Sequence, residues 1–87
     1  MDSSEDHRPP AKHPIRVVSQ RTGLKADLIR AWERRYGAIK PRRSAGRHRF
    51  YTDEDIERLL LLRQATSSAR SISQLAQLSD GQLRELI

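Results

Sequence analysis

RTGLKADLIRAWERRYG, residues 21–37, is the stretch that decides how this chain folds. Leu24, Leu28, Ile29, Trp32 and Tyr36 recur at three- and four-residue steps, the spacing of one face of an α-helix. Gly37 supplies the backbone freedom with which such a helix stops. Upstream, Gly23 separates this helix from RVVSQRT (16–22), a shorter helix expected to turn Val17 and Val18 inward. Two helices joined by a glycine-containing turn are the outline of a helix-turn-helix. At about 100° per residue, Leu28, Trp32, Tyr36 and Ile29 form the expected buried stripe. The same rotation turns Arg30, Arg34, Asp27 and Ala31 to the far side, and sets Arg35 beside the stripe with its stem laid on it.

Downstream the pattern changes. In AIKPRRSAGRHRFY (38–51), Pro41 forbids a continued helix and Ser44-Ala45-Gly46 is a turn cluster. Arginine-rich arms on both sides predict a short β-hairpin from about Lys40 to Tyr51. After a helix-turn-helix, such a hairpin is a wing. Thr52-Asp53-Glu54-Asp55 then opens a helix: threonine is a good N-cap, and three acids suit the positive end of the helix dipole. An acidic cluster can also hold a divalent cation, but three acids in one turn at a helix start read as capping, so no metal is expected. This helix should run from Asp53 to about Ser67, with Ile56, Leu59 and either Leu62 or the stem of Arg63 inward. Leu60 and Leu61 widen its apolar arc and read as a docking surface for a missing segment. SISQLAQL (71–78) and SDGQLREL (79–86) are two further short helices, with Ser71 and Ser79 as N-caps and Gln82 completing a capping box. Ile72, Leu75, Ala76, Leu78, Leu83 and Leu86 are their inward positions. Arg58, Arg63, Arg70 and Arg84 read as solvated surface.

Before this folded part, MDSSEDHRPPAKHP (1–14) has three of the four prolines and no Val, Ile, Leu or aromatic residue. It is expected to be a disordered tail. Residues 15–87 then form one small, mainly α domain. With 87 residues, 36% hydrophobic and 5% aromatic content, the core is thin and a deep catalytic cleft is excluded. There is no cysteine, hence no disulfide and no thiolate metal site. No apolar run approaches the ~18 residues of a membrane span, and the N-terminus lacks the apolar stretch of a signal peptide. A cytoplasmic protein that is not membrane-bound is the expectation.

The net charge of +6 is unevenly placed. Residues 16–49 hold eleven lysines and arginines against only Asp27 and Glu33, whereas the segments on either side are net acidic. A basic block of this kind suggests a polyanion-binding surface. An enzyme is not expected: His7 and His13 lie in the tail, His48 stands alone in the hairpin, and no acid–base pair or phosphate-cradling glycine loop occurs. Two readings remain: double-stranded DNA binding, and a protein-interaction module whose basic face receives an acidic, DNA-mimicking partner. A helix this basic can enter a DNA major groove, where arginine contacts guanine O6 and N7.

RTGL (21–24), IRAWERRYG (29–37), KPRR (40–43), RFYTDEDIERL (49–59) and SISQLAQLSDGQL (71–83) together resemble the DNA-binding domain of the MerR family of bacterial transcription regulators. The likeness runs from Ile15 to about Leu86. It implies a winged helix-turn-helix with further C-terminal helices, and the WERRYG form resembles a subgroup that includes light- and cobalamin-dependent repressors. By position, the resemblance implies DNA contacts from Arg16 and Arg21 near the first helix. It adds Lys25, Asp27, Arg30, Ala31 and Arg34 from the recognition helix, and Arg42, Arg43, Arg47, His48, Arg49 and Tyr51 from the wing. For Tyr51, packing at the hairpin base is an equal alternative. Asp27 could instead orient Arg30 or Arg34, or cap its helix.

Three features depart from the family pattern. Lys25 stands where Ser or Thr is common as N-cap, so that cap should be weak. His48 stands where a large wing residue is frequent. The long dimerising helix and the effector domain are missing, and Ile87 reads as a cut in a longer protein. The fragment is therefore expected to be a monomer and the full-length protein a homodimer. No cofactor is expected on these residues, and an effector such as cobalamin would bind a missing C-terminal domain.

Overall fold

The computed structural model describes residues 12–40, 42–43, 49–68 and 70–87, residues 42–43 by their backbone. Helix α1 spans Ile15–Thr22 and α2 Ala26–Tyr36; strands β1 (Arg42–Arg43) and β2 (Arg49–Phe50) follow, then α3 (Asp53–Thr66), α4 (Ile72–Leu75) and α5 (Asp80–Leu86). Helix α3 is the hub: α1, α4 and α5 all pack on it, while α2 rests on α1 and α4. The two strands pair antiparallel, with Arg42 opposite Phe50 and Arg43 opposite Arg49. The expected hairpin is thus present at its base, and its turn, with Arg47 and His48, lies outside the described residues.

Both glycine stops are used. Gly23 (φ 76°) and Gly37 (φ 60°) take the left-handed conformation, and their amides donate back to Ser19 O and Glu33 O. At Gly23 a side chain has a second obstacle, because a Cβ would meet Arg63 Nη1 at 2.9 Å. The turn that follows is tied by Thr22, whose hydroxyl donates to Val18 O (2.8 Å) and accepts from the Leu24 amide (3.2 Å). Helix α3 begins as expected: Thr52 and Asp55 form a reciprocal capping box, so the acidic start serves the helix itself. Ser79 and Gln82 form the second box, at the start of α5.

The core comprises Val18, Leu24, Ile29, Trp32, Ala38, Ile39, Tyr51, Ile56, Leu59, Leu62, Ala65, Leu75, Ala76 and Leu83. Each fully buried leucine contributes about 1.5–3 kcal/mol relative to an exposed one. Several residues depart from their sequence-based places. Leu28, Tyr36 and Leu86 were expected inward and are 40%, 37% and 40% exposed. On α2 the buried arc is rotated towards Ile29 and Glu33, because the hairpin covers that flank. Ala38 and Ile39, read as the lead into a hairpin, are buried, and α4 ends at Leu75 rather than at Leu78.

The folded part begins earlier than the composition suggests, and the rest of the expected tail, residues 1–11, lies outside the described residues. His13 exchanges two backbone hydrogen bonds with Tyr51 (2.8 and 2.9 Å), and its ring contacts Asp53 at 2.7 Å. Lys12 places its ammonium 5.1 Å from the centre of the Phe50 ring. Residues 12–14 belong to the folded part, since an extended segment needs no apolar content to pair with an open strand edge.

Of the four arginines read as solvated surface, Arg58 is a half-buried cross-link instead, while Arg63 and Arg84 are exposed as expected and still find partners. Arg58 donates to Ala38 O (2.5 Å), Ala76 O (3.0 Å) and Asp80 (2.8 Å). Arg63 donates to Thr22 O at the end of α1 (2.8 Å), and Arg84 pairs with Glu57. Arg70 is exposed as expected. An arginine fork satisfies helix-end carbonyls while its stem covers apolar surface, so hydrophilicity alone does not reveal the role.

Candidate nucleic-acid interface

Helix α2 carries the basic face. Lys25 is its N-cap, in extended backbone (φ −69°, ψ 144°), and no side chain caps the helix there, as expected of a residue that cannot accept. Asp27 does not replace it. Its carboxylate stands in solvent, 99% exposed, 3.8 Å from Arg30 Nη1. Of the alternatives for Asp27, orientation of Arg30 fits this placement, although an exposed pair of this kind is worth little. Arg30, Arg34 and Arg35 are exposed and Ala31 is half-buried. With Ile29, Trp32 and Glu33 inward, the outward centre of α2 is Asp27, Ala31 and Arg34. Leu28 and Arg30 flank that centre on opposite sides.

The hairpin meets this helix through one buried carboxylate. The Glu33 side chain is only 6% exposed. Its Oε2 accepts from the Tyr51 hydroxyl at 2.5 Å, and its Oε1 lies 3.5 Å from Arg49 Nη1. That second contact is an ion pair without an aligned hydrogen bond, which leaves Oε1 unsatisfied. Burial raises the Tyr51 phenol well above the usual tyrosine range, and the hydrogen bond and negative charge of Glu33 add to the shift. Arg30, Glu33, Arg34 and Arg49 line one recess of about 210 Å³ between α2 and the hairpin base. Three guanidinium groups from two elements thereby share one hollow, with Glu33 offsetting part of their mutual repulsion.

Tyr51 is corrected as a DNA contact: it is 0% exposed and cannot touch a ligand on the surface. Its packing alternative is the one the structure adopts. Arg49 is partly exposed (38% of its side chain) and leans on Glu33. Arg16 is exposed; Arg21 is half-exposed and lies 3.6 Å from Asp53, where His13 also converges. The side chains of Arg42 and Arg43, and the whole of Arg47 and His48, lie outside the described residues. Glu33 is the participant that the sequence reading missed. One signal could have found it: it is one of only two acids among eleven cations in residues 16–49.

Comparison with known proteins supplies an independent line. Residues 14–82 match the family model described as MerR HTH family regulatory protein. The chain is 42% identical over 64 residues to the HTH-type transcriptional repressor CarH of Myxococcus xanthus, covering 74% of this chain and 21% of that protein. It is 41% identical over 49 residues to the HTH-type transcriptional regulator MlrA of Escherichia coli strain K12, covering 56% of this chain and 20% of that protein. The repressor CarA of Myxococcus xanthus is 46% identical over 44 residues, 49% of this chain and 15% of that protein. The chain thus matches about a fifth or less of the length of these relatives. Among the described residues no helix is long and apolar enough to cross a membrane.

Proposed function

The chain belongs to the MerR family of helix-turn-helix regulatory proteins, and from that premise we propose that it binds double-stranded DNA sequence-specifically, as the DNA-binding domain of a transcription regulator. The observation that carries this reading is the exposed basic face of α2, with Arg30 and Arg34 beside Arg49 of the hairpin. Helix α2 acts as the recognition helix. Its N-terminal half enters the major groove, where Arg30 contacts a guanine edge and Asp27 holds the guanidinium in place. The hairpin acts as a wing, and Arg42, Arg43, Arg47, His48 and Arg49 meet phosphates beside the groove. Arg16, Arg21 and Lys25 add further phosphate contacts, each strengthening the dependence of affinity on salt. A two-fold operator needs two such heads. One copy of the domain therefore engages one half-site, and two copies together engage the operator as a homodimer.

Selection from a random duplex pool tests this reading. Enriched duplexes are then titrated against scrambled versions of themselves at one fixed salt concentration. Tighter binding to enriched than to scrambled duplex is expected. Equal affinities would reduce the basic face to a general polyanion surface.

A further inference from the structure

Leu28 contributes little to the core and is not among the polar contacts just described. It sits in the first turn of α2 and is 40% exposed, whereas Ile29 and Trp32 beside it are buried. Its neighbours on the helix surface are Lys25 and Ala31, one turn away on either side. Ala31 is small, so no bulky side chain screens the leucine from an approaching partner. The other exposed residues of α2 and its cap are mostly charged: Lys25, Arg30, Arg34 and Arg35 against Asp27 alone, with Tyr36 37% exposed in the last turn.

This mixture limits what can cover Leu28. An apolar protein groove would bury the leucine but leave four cations without counter-charge. A duplex offers phosphates to the cations. Inside its major groove the exposed apolar group is the C5-methyl of thymine. Recognition helices meet base edges with their N-terminal residues, and Leu28 is the third residue of α2.

We propose that Leu28 is a specificity-determining residue that reads the C5-methyl group of a thymine in the major groove. The proposal rests on the reading of α2 as a recognition helix. On the outward face of that helix, Arg30 reads a guanine edge from one flank and Leu28 reads a thymine methyl from the other.

Replacing thymine by deoxyuridine removes the methyl and leaves base pairing intact, so the test alters the DNA first and the protein second. In a preferred duplex, each thymine is exchanged singly for deoxyuridine and affinities are measured for the natural chain, Leu28→Ala and Leu28→Gln. At one position the natural chain should lose about four-fold, the value of one methyl group withdrawn from water. Both variants should be indifferent to that exchange. Their circular dichroism and melting temperatures should match those of the natural chain, because the altered side chain is outside the core. A thymine effect that survives in both variants would assign the methyl to another residue and overturn the proposal. So would a preferred duplex with no sensitive thymine, or variants that melt early yet keep the thymine effect. Absence of any preferred duplex would sink the recognition-helix reading as well, and is distinguished by the titration against scrambled DNA.

Discussion

Arg58→Ala should destabilise the domain by about 3–4 kcal/mol, although its sequence context is that of any surface arginine. The side chain is 18% exposed and its fork joins three elements to α3. Nε donates to Ala38 O at 2.5 Å, in the turn that leaves α2. Nη2 donates to Ala76 O at 3.0 Å, at the end of α4, and Nη1 pairs with Asp80 at 2.8 Å, the first residue of α5. A hydrogen bond from a charged donor contributes about 1.5–3 kcal/mol net. Truncation removes two such bonds, together about 3 kcal/mol when each is taken at the lower end of that range. The Asp80 partner is 37% exposed, so that pair adds at most about 1 kcal/mol after solvent screening. For a domain of this size each kcal/mol moves the melting temperature by about 4–8 °C, and the expected fall is therefore roughly 12–30 °C. Arg58→Lys should recover less than half, because one ammonium cannot span three acceptors as a planar fork does. Thermal and urea unfolding followed by circular dichroism measure both, with Arg70→Ala as the solvated control, expected within about 0.5 kcal/mol of the natural chain. A loss below 1 kcal/mol for Arg58→Ala would refute the reasoning and return Arg58 to the surface class.

Three other outcomes are expected. Arg30→Ala should cost about 1–3 kcal/mol on a preferred duplex and much less on scrambled DNA, with Arg30→Lys recovering charge but only part of the discrimination; equal losses in parallel titrations would make Arg30 a phosphate clamp. Because the folded-state pKa of Tyr51 is raised, its contribution to stability is fully present below the unfolded value of about 10 and is lost as pH rises above it. Urea unfolding between pH 8 and 11 should show that decline, and Tyr51→Phe should weaken the pH dependence while costing stability at pH 8 by leaving Glu33 without its donor; an undiminished decline in Tyr51→Phe would assign the effect elsewhere. Lys25→Ser should stabilise the domain by about 1 kcal/mol, since α2 lacks a side-chain N-cap and the backbone there is already extended. The same change should reduce the slope of log affinity against log salt by about 0.9 if Lys25 meets a phosphate, as read from titrations at several salt concentrations; an unchanged slope would remove it from the interface.

Local chemistry was sufficient for the order of elements. Glycine stops at 23 and 37 and the capping residues Thr52 and Ser79 act over one to four residues, so their consequences are readable from adjacent letters. The basic block at 16–49 was legible for the same reason, since charge needs no partner in the fold to be counted. The long-range assignments were decided by tertiary structure. Whether Leu28 or Glu33 lies inward on α2 depends on the hairpin: Tyr51 offers Glu33 a hydroxyl, and a carboxylate with a donor can be buried where periodicity alone would place a leucine. His13 left the tail because Tyr51 presented an unpaired backbone edge 38 positions away. Arg58 and Arg70 are the same residue type with similar local hydrophilicity, yet one holds three elements together and the other faces water. The difference lies in the carbonyls of Ala38 and Ala76, and only the folded chain brings them within reach of one guanidinium.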